Sequence, residues 1–222
     1  MAQRAMMVRM AEPGAQAPLP LTERRRLQTQ LEIARCAAEL FAARGASAVT
    51  AEDIATAAGI GLRTFYRYFR TKEEAVTPLL AGGVTDWIHD LAQSSRDVPA
   101  AEALERSARR ILTRSDQAGL DSLRLTRELF RAIPGDPALE SVWYRIVNDT
   151  EESLVTVLSE LMGPDADPLD VRLMAVAGNT AMRMAIQTWA DSDATAGRDG
   201  TPAEIAARCI RTLTAGLHPP QG

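Results

Sequence analysis

Leu31, Ala34, Ala38 and Phe41 recur at the spacing of a single helix face, and the run stops at Gly45. They predict a first helix that buries this stripe. A second helix follows at once: Thr50 can cap it, Glu52 and Asp53 fill its first turn, and Val49 and Ile54 stand at the two positions of a hydrophobic staple. Ala55 precedes Gly59 by four residues, a pairing that lets two helices pack closely around a sharp turn. Ile60, Phe65 and Phe69 then supply apolar anchors for a third helix beginning after Gly61. Thr71-Lys72-Glu73-Glu74 reads as a capping box that opens the next helix. The pattern between Thr50 and Glu74 predicts a helix-turn-helix.

Downstream, the apolar spacing and its interruptions predict six further helices, over about 72–95, 100–116, 118–133, 137–162, 167–192 and 202–217. Pro99, Gly119, Pro134-Gly135-Asp136-Pro137, Gly163-Pro164 and the stretch from Gly197 to Pro202 mark the breaks. Leu139, Val142, Trp143, Ile146, Leu154, Val157, Leu158 and Leu161 form one stripe along the 137–162 segment, serving as core and available to line a cavity. Pro78 stands inside the 72–95 segment with Gly82-Gly83 one turn later, so a kink or break is expected between Thr77 and Val84. The expected fold is all-α, with about nine helices.

Composition supports this, with 46% hydrophobic residues but only 5% aromatics among 222. A net charge of −4 argues weakly against a polyanionic partner until it is divided by region. Residues 1–74 carry eleven basic and eight acidic side chains, a net of +3; the remainder carries fourteen and twenty-one, a net of −7. The basic excess coincides with the helix-turn-helix. Cys36 and Cys209 show no metal-ligand spacing and are expected to be small buried residues in a reducing cytoplasm. Residues 1–22, with Pro13, Gly14, Pro18 and Pro20, are expected to form a disordered arm, and Met6, Met7 and Met10 leave several start points open. The division expected beyond it is a DNA-binding domain at 23–70 and a helical domain at 71–222. No secretory or membrane-spanning segment is apparent. Arg24-Arg25-Arg26, expected just before the first helix, suits either phosphate contact or a solvated helix start.

From about Arg26 through ELFAARG, across TAEDIA at 50–55 and TFYRYF at 64–69 to Lys72, the chain resembles the TetR family of bacterial transcriptional regulators. The resemblance covers roughly a quarter of the chain. It implies an N-terminal DNA-binding domain, a helical C-terminal ligand and dimerisation domain, and repression of a palindromic operator relieved by a small molecule. By position it implies that Leu62, Arg63 and Thr64 face the groove and that Tyr66, Tyr68 and Lys72 touch phosphates. Arg67 suits either role, and Thr50 and Gly61 complete the DNA-binding set. Arg63 is the candidate for a guanine, whose O6 and N7 a guanidinium can pair together, whereas Leu62 can read only a thymine methyl. Many members of the family carry serine or threonine where Gly61 stands and glycine where Arg63 stands, so the operator cannot be borrowed from relatives. Lys72 is the one lysine beside twenty-four arginines.

The resemblance also assigns a homodimer interface to the last two helices, where Ala175, Gly178, Asn179, Met182 and Ile186 form one stripe and Ile205, Cys209, Leu213 and Gly216 another. Packing within one subunit is the alternative for these faces. Trp87, Leu123, Phe130, Trp143, Met182 and Trp189 are the candidates to line a ligand pocket, suiting a mainly apolar effector, acyl-CoA-like or another lipophilic metabolite. Arg127 and Arg183, with Arg124 and Arg131, are the cations available to an acidic group. A ligand-independent DNA-binding protein, whose C-terminal domain only dimerises or binds a protein, is the alternative. His89 and His218 stand apart, with no nucleophile–base arrangement or phosphate-cradling loop, so no enzyme activity, cofactor or metal is expected.

Overall fold

The computed structural model describes residues 20–113, 117–192 and 200–217, with side chains omitted over 117–123. Among these residues the protein is all-α, with nine α-helices and no strand. They are α1 Leu21–Arg44, α2 Ala51–Ala57, α3 Leu62–Tyr68, α4 Thr77–Ala92, α5 Ala100–Leu112, α6 Gln117–Ala132, α7 Pro137–Met162, α8 Pro168–Asp191 and α9 Pro202–Thr214. Short 3-10 turns at Ala46–Ala48, Glu73–Val76 and Ile133–Gly135 join them. No helix among the described residues is long and apolar enough to cross a membrane.

Local chemistry sets most boundaries. Thr50 and Asp53 form a reciprocal capping box on α2, and the flanking Val49 and Ile54 are buried as a staple requires. At the other end of α2, Gly59 takes φ 67, the Gly59 amide donates to the Thr56 carbonyl and Ile60 to that of Ala55. That is the double bond of a Schellman ending, which glycine adopts without the steric cost of a Cβ. α7, α8 and α9 share another device, a capping side chain followed by proline: Asp136-Pro137, Asp167-Pro168 and Thr201-Pro202. Proline is suited to the first helical position because the amide it lacks would have no intrahelical partner there.

Two expectations at the N-terminal end change. α1 starts at Leu21, so Arg24, Arg25 and Arg26 lie within its first turns, exposed, rather than before it. Of the arm expected over 1–22, residues 1–19 fall outside the described residues. Cys36 and Cys209 are half-buried rather than enclosed.

The kink expected around Pro78 is also corrected. The 3-10 turn Glu73–Val76 absorbs the change of direction, and α4 begins at Thr77, which puts Pro78 in the first turn. No hydrogen bond is lost to proline there, and α4 runs unbroken through Gly82 and Gly83.

The core forms two connected clusters. One joins α1, α2 and α3 through Ile33, Phe41, Ile54, Phe65 and Phe69 to Leu129 and Phe130 of α6 and to Leu139, Val142, Trp143 and Ile146 of α7. The other packs Trp87 and Leu91 of α4 with Leu104 of α5, Leu154 and Leu158 of α7, Met182 of α8 and Ile205 and Ile210 of α9. Apolar packing therefore crosses the boundary expected between residues 70 and 71.

Gly82 and Gly83 are exposed within α4, and a Cβ at either would meet nothing within 4 Å. Gly82→Ala and Gly83→Ala are each expected to stabilise the fold by about 0.5–1 kcal/mol. Pro78→Ala is expected to change stability by no more than about 1 kcal/mol. Thermal melts followed by circular dichroism check both, and a collapse of the Pro78→Ala variant would contradict the first-turn placement.

Candidate nucleic-acid interface

α3 is amphipathic over only seven residues. Phe65 is completely buried and Phe69 nearly so, their rings 5.6 Å apart. The rest of the helix surface presents Leu62 at 40% exposure, Tyr66 at 55%, and Arg63 and Arg67 to solvent. Thr64 and Tyr68 are half-buried at the edges, and the Arg67 guanidinium lies 5.3 Å from the Tyr68 ring. Gly61, the N-cap, offers no side-chain bond. The residues given to DNA by resemblance over 61–68 thus lie on or beside one accessible face.

Thr50 is exposed at the start of α2, but its hydroxyl is already in use. It accepts from the Asp53 amide at 3.1 Å and donates to the Asp53 carboxylate, which also takes the Thr50 amide at 2.9 Å. These bonds, the backbone amide foremost, hold the Asp53 carboxyl below its ordinary range, with Arg44 nearby adding to the effect.

Lys72 is half-buried and engaged with the backbone. Its ammonium donates to the carbonyls of Ala46 at 2.6 Å and Val49 at 2.7 Å, with the Glu73 carboxylate 3.7 Å away. Arg44 donates to the carbonyl of Ala48 and to Asp53, both at 3.2 Å. Two cations thus hold the turn between α1 and α2 by its carbonyls. The phosphate contact implied by resemblance would have to use the remaining N–H of Lys72. Its partners lie 23 and 26 residues away, beyond any local sequence signal.

Beyond α3, the Glu74 carboxylate accepts from the Arg70 amide at 3.0 Å and from Arg145 of α7 at 3.1 Å. Partial burial pushes the Glu74 carboxyl up, but the Arg145 guanidinium and the Arg70 amide outweigh it and leave it below the ordinary range. In the sequence Glu74 reads only as the acidic member of a capping box, and nothing marks Arg145.

The pocket candidates divide between the two cores. Phe130 and Trp143 meet edge to face at 4.7 Å, and Trp189 packs against both clusters with Arg127 lying 5.4 Å from its ring. Trp87 and Met182 belong to the second cluster. The side chain of Leu123 lies outside the described residues. The indole N–H groups of Trp87 and Trp143 are buried without a partner among the described residues. The arginines are engaged: Arg131 donates to the Ala190 carbonyl at 2.7 Å, Arg127 to those of Ala190 and Ser192, Arg124 to Glu128 and Arg183 to Gln187. A cleft of about 780 Å³ opens elsewhere, between α1 and α6, lined by Phe41, Ala43, Arg124, Glu128 and Arg131 among others.

The stripe expected at a dimer interface turns inward. Ala175, Gly178, Asn179, Met182 and Ile205 are buried within the subunit. A Cβ on Gly178 would lie 3.0 Å from Leu104 of α5, and the Asn179 amide donates to the Val147 carbonyl at 2.9 Å. Ile186 and Cys209 are half-buried, and Leu213 and Gly216 are exposed. The apolar residues that α8 leaves in solvent are Leu169, Leu173, Val176 and Met184, a different face.

Replacing Lys72 by methionine keeps its apolar stem and removes the two charge-assisted bonds. Lys72→Met is expected to lower the unfolding free energy by about 1.5–3 kcal/mol in urea denaturation. An unchanged midpoint would mean that the ammonium does not brace the turn.

The family model described as bacterial regulatory proteins, tetR family, matches residues 33–76. The HTH-type transcriptional regulator TcmR of Streptomyces glaucescens is 30% identical over 155 residues, 66% of each chain. The HTH-type transcriptional repressor KstR2 of Mycobacterium tuberculosis is 46% identical over 57 residues, 26% of this chain and 28% of its own. The chain thus spans about two thirds of the length of TcmR and about a quarter of that of KstR2. Among solved structures, Salmonella enterica GusR superposes with a TM-score of 0.55 at 18% identity, covering 91% of this chain and 99% of that one. Thermus thermophilus FadR, a TetR-family repressor solved in complex with lauroyl-CoA, superposes at 0.51 with 24% identity, covering 87% and 97%. At such identities these two speak for the fold alone. Through the helix-turn-helix and the relation to TcmR, the chain belongs to the tetR family of bacterial transcriptional regulators, a family of DNA-binding proteins and not of enzymes.

Proposed function

We propose that the protein is a homodimeric repressor that binds a palindromic operator through α3 and leaves it when a small, mainly apolar ligand occupies the C-terminal domain. The observation that carries the DNA reading is the division of α3: Phe65 and Phe69 anchor it, while Leu62, Arg63, Tyr66 and Arg67 stand clear on the other side. Such a helix can enter a major groove without losing its seat. Tyr66, Arg67 and Tyr68 then flank the groove where phosphates run, and Arg63 meets a guanine edge. KstR2 is named a repressor, which supports the sign of regulation.

The ligand reading rests on Phe130, Trp143 and Trp189 gathered where α6, α7 and α8 meet. FadR binds lauroyl-CoA, which supports a lipophilic effector. Arg127 and Arg131, held on carbonyls at the end of α8, serve that helix terminus rather than an acidic ligand. Release from DNA requires the effector to bind the DNA-incompetent arrangement more tightly than the competent one, since equal affinity shifts nothing.

For the dimer, the exposed Leu169, Leu173, Val176 and Met184 of α8 and Leu213 of α9 replace the inward stripe as the contact surface. Self-association of such a face about a two-fold axis gives an isologous interface and sets two α3 helices on one side of DNA.

Binding to the DNA upstream of the protein's own gene, measured across a salt series, tests the first part. Arg63→Ala is expected to weaken binding to that site by roughly tenfold or more while leaving random DNA unaffected. Equal loss on all sequences would remove Arg63 from base recognition. Leu173→Glu is expected to convert a dimer to a monomer in analytical ultracentrifugation with helix content unchanged, because Leu173 is already 41% exposed in the isolated subunit. A dimer that survives this change places the interface elsewhere.

A further inference from the structure

We infer that Arg145 of α7 is a positioning residue for α3, holding the end of the DNA-facing helix through the Glu74 carboxylate. The inference rests on the reading of α3 as the helix that meets DNA. Glu74 receives donors from two sides. One oxygen takes the amide of Arg70, two residues beyond the end of α3, at 3.0 Å; the other takes Arg145 Nη1 at 3.1 Å. The Glu74 amide in turn donates to Thr71 Oγ1 at 3.2 Å. This one side chain therefore closes the segment leaving α3 and ties it to a residue 71 positions away.

The surroundings explain why that tie matters. Ala75, Val76, Leu79 and Leu80 share an apolar cluster with Val142, Trp143 and Ile146. Contacts of this kind hold two surfaces together without fixing a direction, so they tolerate small slides and rotations. A hydrogen bond at 3.1 Å does not, because it is lost within a fraction of an ångström to an ångström of further separation. α7 also passes through the C-terminal core, where the Val147 carbonyl is held by Asn179 of α8. A shift of α7 against the helix-turn-helix larger than the exposed Arg145 side chain can follow must drag the Glu74 carboxylate or release it. Either result reaches the Arg70 amide and the last turn of α3. The Arg145 side chain is 58% exposed and that of Glu74 21%, so the link is modest in strength and easily broken. Those are the properties of a contact that reports displacement.

Amide hydrogen exchange across residues 62–76, followed by NMR in the full-length protein, tests this without a known operator or effector. Arg145→Ala is expected to speed exchange at the Arg70 amide and in the last turn of α3 by roughly three- to five-fold, leaving α9 exchange and the thermal midpoint unchanged. Arg145→Lys is expected to restore most of the protection, and adding Arg145→Ala to Glu74→Gln to accelerate exchange no further. Unchanged exchange at Arg70 in Arg145→Ala, or additive effects in the double variant, would overturn the link. Parallel binding assays on upstream DNA separate the two readings. Faster exchange with no sequence-specific binding by the wild type leaves the link intact and removes the DNA reading. Specific binding with unchanged exchange does the reverse.

Discussion

The accessible face of α3 depends on the burial of two phenylalanines. α3 has seven residues and begins at a glycine with no side-chain cap, and a helix so short has no independent stability in water. Phe65 and Phe69 supply what propensity does not, each contributing about 1.5–3 kcal/mol by removing apolar area from water. Their burial also sets the helix's rotation. Once these rings face inward, the helical period turns Arg63 and Arg67 outward, while Leu62, one turn before Phe65, is exposed because it is the first residue of the helix. The core that accepts them extends into α6 and α7, so the orientation of α3 is settled jointly with the packing of the C-terminal helices.

Charge is used in a different way from that suggested by composition. Several cations that look available for phosphate or ligand are bound to backbone carbonyls. Lys72 and Arg44 brace the turn between α1 and α2, and Arg127 and Arg131 sit on the last carbonyls of α8, where the helix dipole favours positive charge. The cations left on the accessible face of α3 are Arg63 and Arg67. Basic residues in this region therefore include braces for the backbone as well as exposed cations. Glu74 extends this logic to an anion, which joins the end of α3 to α7.

Where the fold was legible, the signals were local. The Thr50–Asp53 cap, the Gly59 ending and the cap-proline starts of α7, α8 and α9 rest on bonds spanning two to five residues, which sequence displays directly. Pro78 misleads for a related reason. Thr71 to Glu74 reads as the start of an α-helix, but the cap is only half formed: Thr71 accepts the Glu74 amide, while the Glu74 carboxylate reaches Arg70. The turn that results is 3-10, and a shift of about five residues in the helix start decides whether a proline lies in a helix interior or in its first turn.

Sequence alone determined the all-α fold, most helix boundaries to within a few residues (the starts of α1 and α4 excepted), the helix-turn-helix and the identity of its buried aromatics. Periodicity, caps and turns encode these without reference to distant residues. Tertiary structure alone decided which side of α8 faces inward. That helix is apolar nearly all round, with Ala175, Gly178 and Met182 on one side and Leu169, Leu173 and Val176 on another, so its pattern offers two candidate faces and no way to rank them. Gly178 settles the matter through its close approach to Leu104 of α5, 74 positions earlier in the chain. The partners of Lys72 and Arg145 were hidden for the same reason: a side chain's charge can be read from sequence, but what it touches depends on which distant backbone the fold brings within reach.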